Sequence, residues 1–267
     1  IPSRLVGSEM CIRDRVGAGK QTKSTIMDVM EFNGKDYCEV PLTNSIVTTL
    51  DGSFSIEAWV KPSDDLILDD TKHYDEFHIF TRPGFHTGLA FTSGMQYKGS
   101  IWDKEEEQHM VVSDRKNSEW CHVVFTLDHI TKRLRMYTNG QEVNNSPKDY
   151  FSSQRQVNVV PYYIGCANPN ARYGDNGFFK GHIAQITMWN NCLNPKEVGT
   201  IFNNGIPYTS TKQKSYSGWK SGSESYKSAK NVVGYWDFDN VVGGKIIDKS
   251  GNDNHAKIKG GVITEKE

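Results

Sequence analysis

The side chains in this sequence best suited to chemistry are aromatics and amides grouped in turn-rich stretches. They are Phe85 and His86 in RPGFHTG, Tyr97 and Trp102 in MQYKGSIWD, and Tyr173, Asp175 and Asn176 in NARYGDNG. Flat apolar rings stack on a ligand ring while amides and carboxylates bond its hydroxyls, the mix of apolar wall and few polar groups expected of a small-ligand site. The same aromatics also suit the open edge of a core, because large aromatics are highly buried on average. Trp59, Trp120, Trp189 and Trp236 fall on alternating segments and are assigned to packing. A second group, Asp248, Ser250, Asn252, Asp253 and Asn254, bunches in one stretch, with Asn33 and Asp36 of an opening hairpin as further oxygen donors. Two readings of it stand. One is an Asx-rich turn whose side chains bond their own backbone. The other is a structural Ca2+ site formed by Asn33, Asp36, Asp248, Asn252 and Asn254, since hard cations take several oxygens.

No catalytic signature accompanies these groups. The sequence holds neither H-E-x-x-H nor G-x-S-x-G. Asp103 to Glu107, DKEEE, has carboxylates in number but no apolar alternation, and is read as a solvated loop. His73, Asp75 and His78 lack a third metal ligand at a recognised spacing and are assigned structural or solvent-facing roles. GAGKQT at Gly17 to Thr22 lacks the first glycine of a phosphate loop and has Gln21 where a magnesium-binding hydroxyl belongs. The expectation is a protein that is not an enzyme.

The elements that must position these residues are strands. In WCHVVFTLD, Cys121, Val123, Phe125 and Leu127 alternate with His122, Val124, Thr126 and Asp128; Leu134 and Met136 then alternate with Arg133 and Arg135. Asn139-Gly140 supplies the positive backbone dihedrals of a tight hairpin. Phe54, Ile56, Ala58 and Val60 alternate with Ser55, Glu57, Trp59 and Lys61. From Gly181 to Asn190, Ala184, Ile186 and Met188 are placed on one face and Ile183, Gln185, Thr187 and Trp189 on the other. Further strands are expected over 27–33, 37–41, 77–82, 88–92 and 109–113, a spacing typical of an antiparallel two-sheet sandwich. One short helix is expected after Asn194, a good N-cap followed by Pro195, with Glu197 three residues on.

Composition fits one all-β domain. The 267 residues carry 31 basic and 32 acidic side chains, a net charge of -1, whereas nucleic-acid binding relies on a basic stripe. No apolar run approaches the roughly 20 residues of a membrane span, so no membrane insertion is expected. Leu5 to Arg15, LVGSEMCIRDR, resembles the translation of a sequencing-library adapter, and residues 1–24 are set aside as an artefact and lead-in. The first residue is Ile1, so the true start is expected to lie upstream, no signal peptide can be judged, and the domain is expected to belong to a longer polypeptide. The domain proper is assigned to 25–264, with 209–231 as a polar surface insertion rich in Ser and Lys. Cys38, Cys121, Cys166 and Cys192 remain, with three disulfide pairings or buried thiols all open.

The order of FSIEAWVKP, EWCHVVFTLD with RLRMYTNGQEV, YYIGCANP, GHIAQITMWNNCLNPKEVGTIFNNG and VGYWDFDN with IIDKSGNDNHAKIKGG resembles a laminin-G-like domain of the concanavalin A-like lectin and glucanase superfamily, from about Ile26 to Ile263. The resemblance implies a jelly-roll sandwich, often with calcium, used in sugar binding and adhesion or appended to glycoside hydrolases. The E-x-D-x-x-E strand motif of that superfamily's retaining glucanases is missing. The run from Ile164 to Asn204 is also similar to pentraxins, but Cys166-Ala167-Asn168-Pro169-Asn170 offers no carboxylate for a pentraxin-type double-calcium site. The implied role is a non-enzymatic carbohydrate-binding or adhesion module, extracellular or at a cell or virion surface, with a glycan or surface glycoprotein as partner. The alternatives are an accessory domain of a larger glycoside hydrolase and a purely structural coat or fibre module.

Overall fold

A computed structural model of the chain describes residues 28–49, 52–67, 76–83, 87–153, 160–170, 177–202, 226–260 and 263–266. The segment set aside at 1–24 lies outside them. The centre of the first sheet is the pair β3 (Phe54–Pro62) and β12 (Lys180–Trp189), the two stretches with the longest alternation. Outward from β3 come β8 (Cys121–Asp128), β9 (Arg133–Thr138) and the edge strand β10 (Gln141–Asn145). Outward from β12 come β1 (Asp28–Asn33) and β17 (Ile263–Lys266), and β13 (Val232–Trp236) also pairs with β12.

The second sheet runs β14 (Val241–Val242), β15 (Lys245–Ile246), β16 (Ala256–Lys259), β2 (Tyr37–Val40), β11 (Tyr162–Ile164), β4 (Glu76–Arg82), β5 (Thr87–Thr92), β6 (Tyr97–Trp102) and β7 (Gln108–Val112). All of the strand ladders in both sheets are antiparallel, giving an all-β sandwich. Its core lies between the sheets and is led by Phe32, Phe54, Phe80, Phe91, Phe125 and Trp236, all essentially inaccessible. Burying such a ring stabilises by about 2–3 kcal/mol.

The outer face of the first sheet is covered too. The helix α2 (Pro195–Phe202) and a short 3-10 turn at Lys227–Asn231 pack on Val124, Tyr137, Trp189 and Tyr235. Of the polar insertion expected over 209–231, residues 209–225 lie outside the described residues; at its described end Tyr226, Ser228 and Ala229 are buried, and the Tyr226 hydroxyl accepts from Trp189 Nε1 at 2.7 Å. One tyrosine and one alanine in a Ser- and Lys-rich run leave no periodic signal, so composition hid the buried end. A correction concerns β12. Its register against β3 shifts between Ile183 and Gln185, so Ile183 joins Ile186 and Met188 in the inner core while Ala184 faces out beside Trp59 and Val29. A bulge adds one residue to one strand and inverts the alternation beyond it. A further short helix, α1 (Asn44–Thr49), was not expected. The four cysteines among the described residues are free thiols, three of them buried and Cys192 half-buried.

Candidate functional site

Alternation divides each strand of the second sheet between the core and an outer face. In β6, Tyr97 and Ile101 point inward to the core, and Lys98, Ser100 and Trp102 point outward. Register then aligns outward residues in a row across the sheet: Lys257 beside Glu39, Glu39 beside Tyr163, Tyr163 beside Thr81, Thr81 beside Gly88, and Gly88 beside Ser100. His78, Ala90 and Lys98 form a second row next to it.

The middle of this face is a connected polar floor. Lys98 Nζ bonds Glu76 Oε1, and His78 Nε2 stands 3.9 Å from Glu76 Oε2. His78 Nδ1 and the Thr81 hydroxyl are 2.9 Å apart, and that hydroxyl donates to the Leu89 carbonyl at 3.3 Å. Lys98, His78, Thr81 and Ser100 are all buried. A lysine is rarely buried unless paired, and here Glu76 supplies the partner. Beside the floor stands an aromatic group. Tyr37 meets Tyr163 nearly edge-on at 5.6 Å and Phe178 at 6.3 Å. Tyr37 and Phe178 stay partly exposed, while burial, reinforced by Glu39, raises the Tyr163 hydroxyl to about 12. Phe178 reaches this position because Gly177 lies directly on His78. Gly177 accepts from the His78 N–H at 2.9 Å, has φ of +53°, and a Cβ there would fall 2.4 Å from the imidazole.

The predicted ligand residues divide in three. Tyr97 is corrected: it is a core residue with no exposure, its ring 5.1 Å from Phe91, because it occupies an inward position of β6. Trp102 faces outward at the end of β6, opposite Gln108. Phe85, His86, Tyr173, Asp175 and Asn176 lie outside the described residues; the flanking Arg82 and Thr87 pair at the β4–β5 end, and Gly177 sits on His78. Reading the sequence missed Tyr37, Tyr163, Phe178, Glu76 and Lys98: Tyr37 lies on a strand that was expected, whereas β6 and β11 are short and carry too little alternation to be read, and Phe178 forms an isolated bridge to His78.

The proposed calcium set does not converge. Asn33 and Asp36 lie toward the Gly260 end of β16, where a Cβ on Gly260 would touch Asp36, whereas Asp248, Asn252 and Asn254 precede the strand's other end. The Asp248 carboxylate accepts from Tyr235 N (2.9 Å), Ser250 N (2.8 Å), Ser250 Oγ (2.7 Å) and Asn254 N (3.0 Å). Asn252 turns its amide N–H toward the Val232 and Val233 carbonyls, and Asn254 donates to Ser45 Oγ and the Val233 carbonyl. A carboxylate with four donors and amides presenting N–H groups do not fit a hard cation. No group of three or more His, Cys, Asp or Glu that could hold a metal occurs among the described residues.

A family model described as the Concanavalin A-like lectin/glucanases superfamily, of laminin G type, matches residues 32–199, more than half of the sequence. The chain therefore belongs to this laminin-G-like family, and its sandwich is a jelly roll of that superfamily. Among solved structures it is similar to a candidate carbohydrate binding protein from Bacteroides ovatus, with a TM-score of 0.62 and 16% identity over 91% of this chain and 61% of the other. It thus spans about three fifths of that protein's length. It is also similar to the binding domain of Paraclostridial Mosquitocidal Protein 1, with a TM-score of 0.50 and 15% identity over 66% of this chain and 43% of the other. A pentraxin from Limulus polyphemus matches with a TM-score of 0.45 and 13% identity, over 66% and 82% of the two chains. No curated protein matches the sequence. No helix among the described residues is long and apolar enough to cross a membrane.

Proposed function

We propose that this chain is a non-enzymatic recognition module that binds glycan on the outer face of the second sheet, at a cell or virion surface. The observation that carries the reading is the partly exposed Tyr37–Phe178 pair beside the fixed polar floor of Glu76, His78, Thr81 and Lys98. Rings supply stacking surface for a sugar, and a floor already hydrogen-bonded needs no ordering when ligand arrives. The likeness to a candidate carbohydrate binding protein supports the class of ligand. The missing E-x-D-x-x-E motif and the pairing of Glu76 with Lys98 support a role without catalysis.

Glycan-array binding, followed by titration of the best hit, tests it. Replacing Tyr37 and Phe178 together by Ala is expected to weaken binding roughly tenfold or more, as for aromatic anchors in general. A chelator is expected to leave binding unchanged. Failure to bind any glycan, or undiminished binding by the double variant, would overturn the proposal; release of reducing sugar from an offered polysaccharide would overturn its non-enzymatic part.

A further inference from the structure

The first sheet carries an open groove of about 890 Å³ at the β8–β9 end, bounded by the β8–β9 turn, edge strand β10 and the loop leading from β12 into α2. That volume lies within the roughly 300–1,000 Å³ of small-molecule sites. Its exposed lining is more apolar than polar, with charged and amide groups set into it. Arg133 and Arg135 project from the same face of β9, since Leu134 and Met136 between and beyond them enter the core. Arg133 donates its Nε to the Ser146 carbonyl at 3.1 Å, and its two terminal nitrogens have no partner among the described residues. Two further polar atoms in the lining are buried without a hydrogen bond: Asn191 Oδ1 and His129 Nδ1. Buried polar atoms are normally paired, and these two are not, although neither is exposed to the groove.

The carboxylates of the groove are already engaged. Asp128 accepts from Ile130 N, Thr131 N and Thr131 Oγ1, and these bonds overcome its burial to hold its pKa below the ordinary value. Glu142 stands 3.7 Å from Arg135 Nε and accepts from the Asn145 amide at 2.8 Å. The open cation is therefore Arg133.

We infer that this groove is a second binding site, separate from the aromatic face and independent of it, for an oligosaccharide bearing a carboxylate, that is, a uronic-acid sugar. The two free terminal nitrogens of Arg133 match a carboxylate bidentately. Sugar hydroxyls, which both donate and accept, suit the amide side chains of Asn145, Asn190 and Asn194 in the lining. A peptide adding a strand to β10 fits poorly, because that strand's ladder is broken between Glu142 and Asn144.

Calorimetric titration with trigalacturonic acid and with its neutral methyl ester tests the inference. The acid is expected to bind, and esterification or Arg133→Ala to weaken it roughly tenfold or more, the scale of one charge-assisted hydrogen bond. Arg133→Lys keeps the charge but loses the fork and should recover only part. Binding should survive Tyr37→Ala. Equal affinity for acid and ester, or acid binding untouched by Arg133→Ala, would overturn the groove. So would failure to bind the acid while neutral glycans still bind, and that result leaves the aromatic face standing.

Discussion

Asp103 opens the acidic run DKEEE, yet it is buried, whereas Glu105, Glu106 and Glu107 are exposed as a solvated loop should be. Its carboxylate accepts from the backbone N–H groups of Glu105 (3.0 Å), Glu107 (3.1 Å) and Ser152 (3.3 Å), from Ser152 Oγ (3.0 Å), and lies 3.0 Å from His109 Nε2. Burial pushes its pKa up, but the combined donors outweigh that and bring it to about 2. A folded-state pKa below the unfolded value of about 4 gives stability that is present above pH 4 and lost as pH falls toward 2, roughly 2 kcal/mol. Asp103→Asn should therefore be less stable than the parent by about that amount at pH 7 in urea unfolding. The two should converge near pH 2, and a constant gap across that range would refute the assignment. Nothing in the local sequence separates Asp103 from its acidic neighbours, because the two bonds from Ser152 that help bury it come from 49 residues away. His78, read from spacing as structural or solvent-facing, is buried and stands 2.9 Å from the Thr81 hydroxyl.

At the scale of elements, the start of α2 joins two short helices. Asn194 Oδ1 accepts from Glu197 N at 3.0 Å and Glu197 Oε2 accepts from Asn194 N at 3.2 Å, the reciprocal capping box legible in N-P-K-E. The other oxygen of Glu197 was not legible. It accepts from Lys227 N (3.1 Å), Ser228 N (2.9 Å) and Ser228 Oγ (2.7 Å), capping the 3-10 turn that covers Trp189. Removing it unpairs a cap and buried donors together, at a cost of roughly 2–4 kcal/mol. Glu197→Ala should lower the denaturation midpoint accordingly and loosen the near-ultraviolet circular dichroism of Trp189. Glu197→Gln, which keeps an acceptor, should recover part of the loss, and a change within about 0.5 kcal/mol for Ala would count against the joint role.

Across the whole molecule, the fit of the two sheets depends on Gly99. It occupies an inward position of β6, and a Cβ there would stand 2.1 Å from the fully buried ring of Phe125 on the opposite sheet. Gly99→Ala should cost about 1–3 kcal/mol by overpacking, measured as a drop in melting temperature, and Phe125→Leu in the same chain should relieve part of it. Additive losses would show that the two residues do not share the space. The sequence alone determined the long alternating strands, the Asn139-Gly140 turn and the start of α2, because period-two alternation, turn dihedrals and caps are set by residues a few positions apart, and the order of its motifs carried the resemblance to the laminin-G-like family. The tertiary structure alone decided that Tyr37 meets Tyr163 and Phe178, that Asp248 spends its oxygens on backbone donors, and that Arg133 and Asn191 line one groove. Apart from the short-range Ser250 and Asn254 bonds of Asp248, those relations join residues distant along the chain, and only sheet order and register bring them within reach of one another.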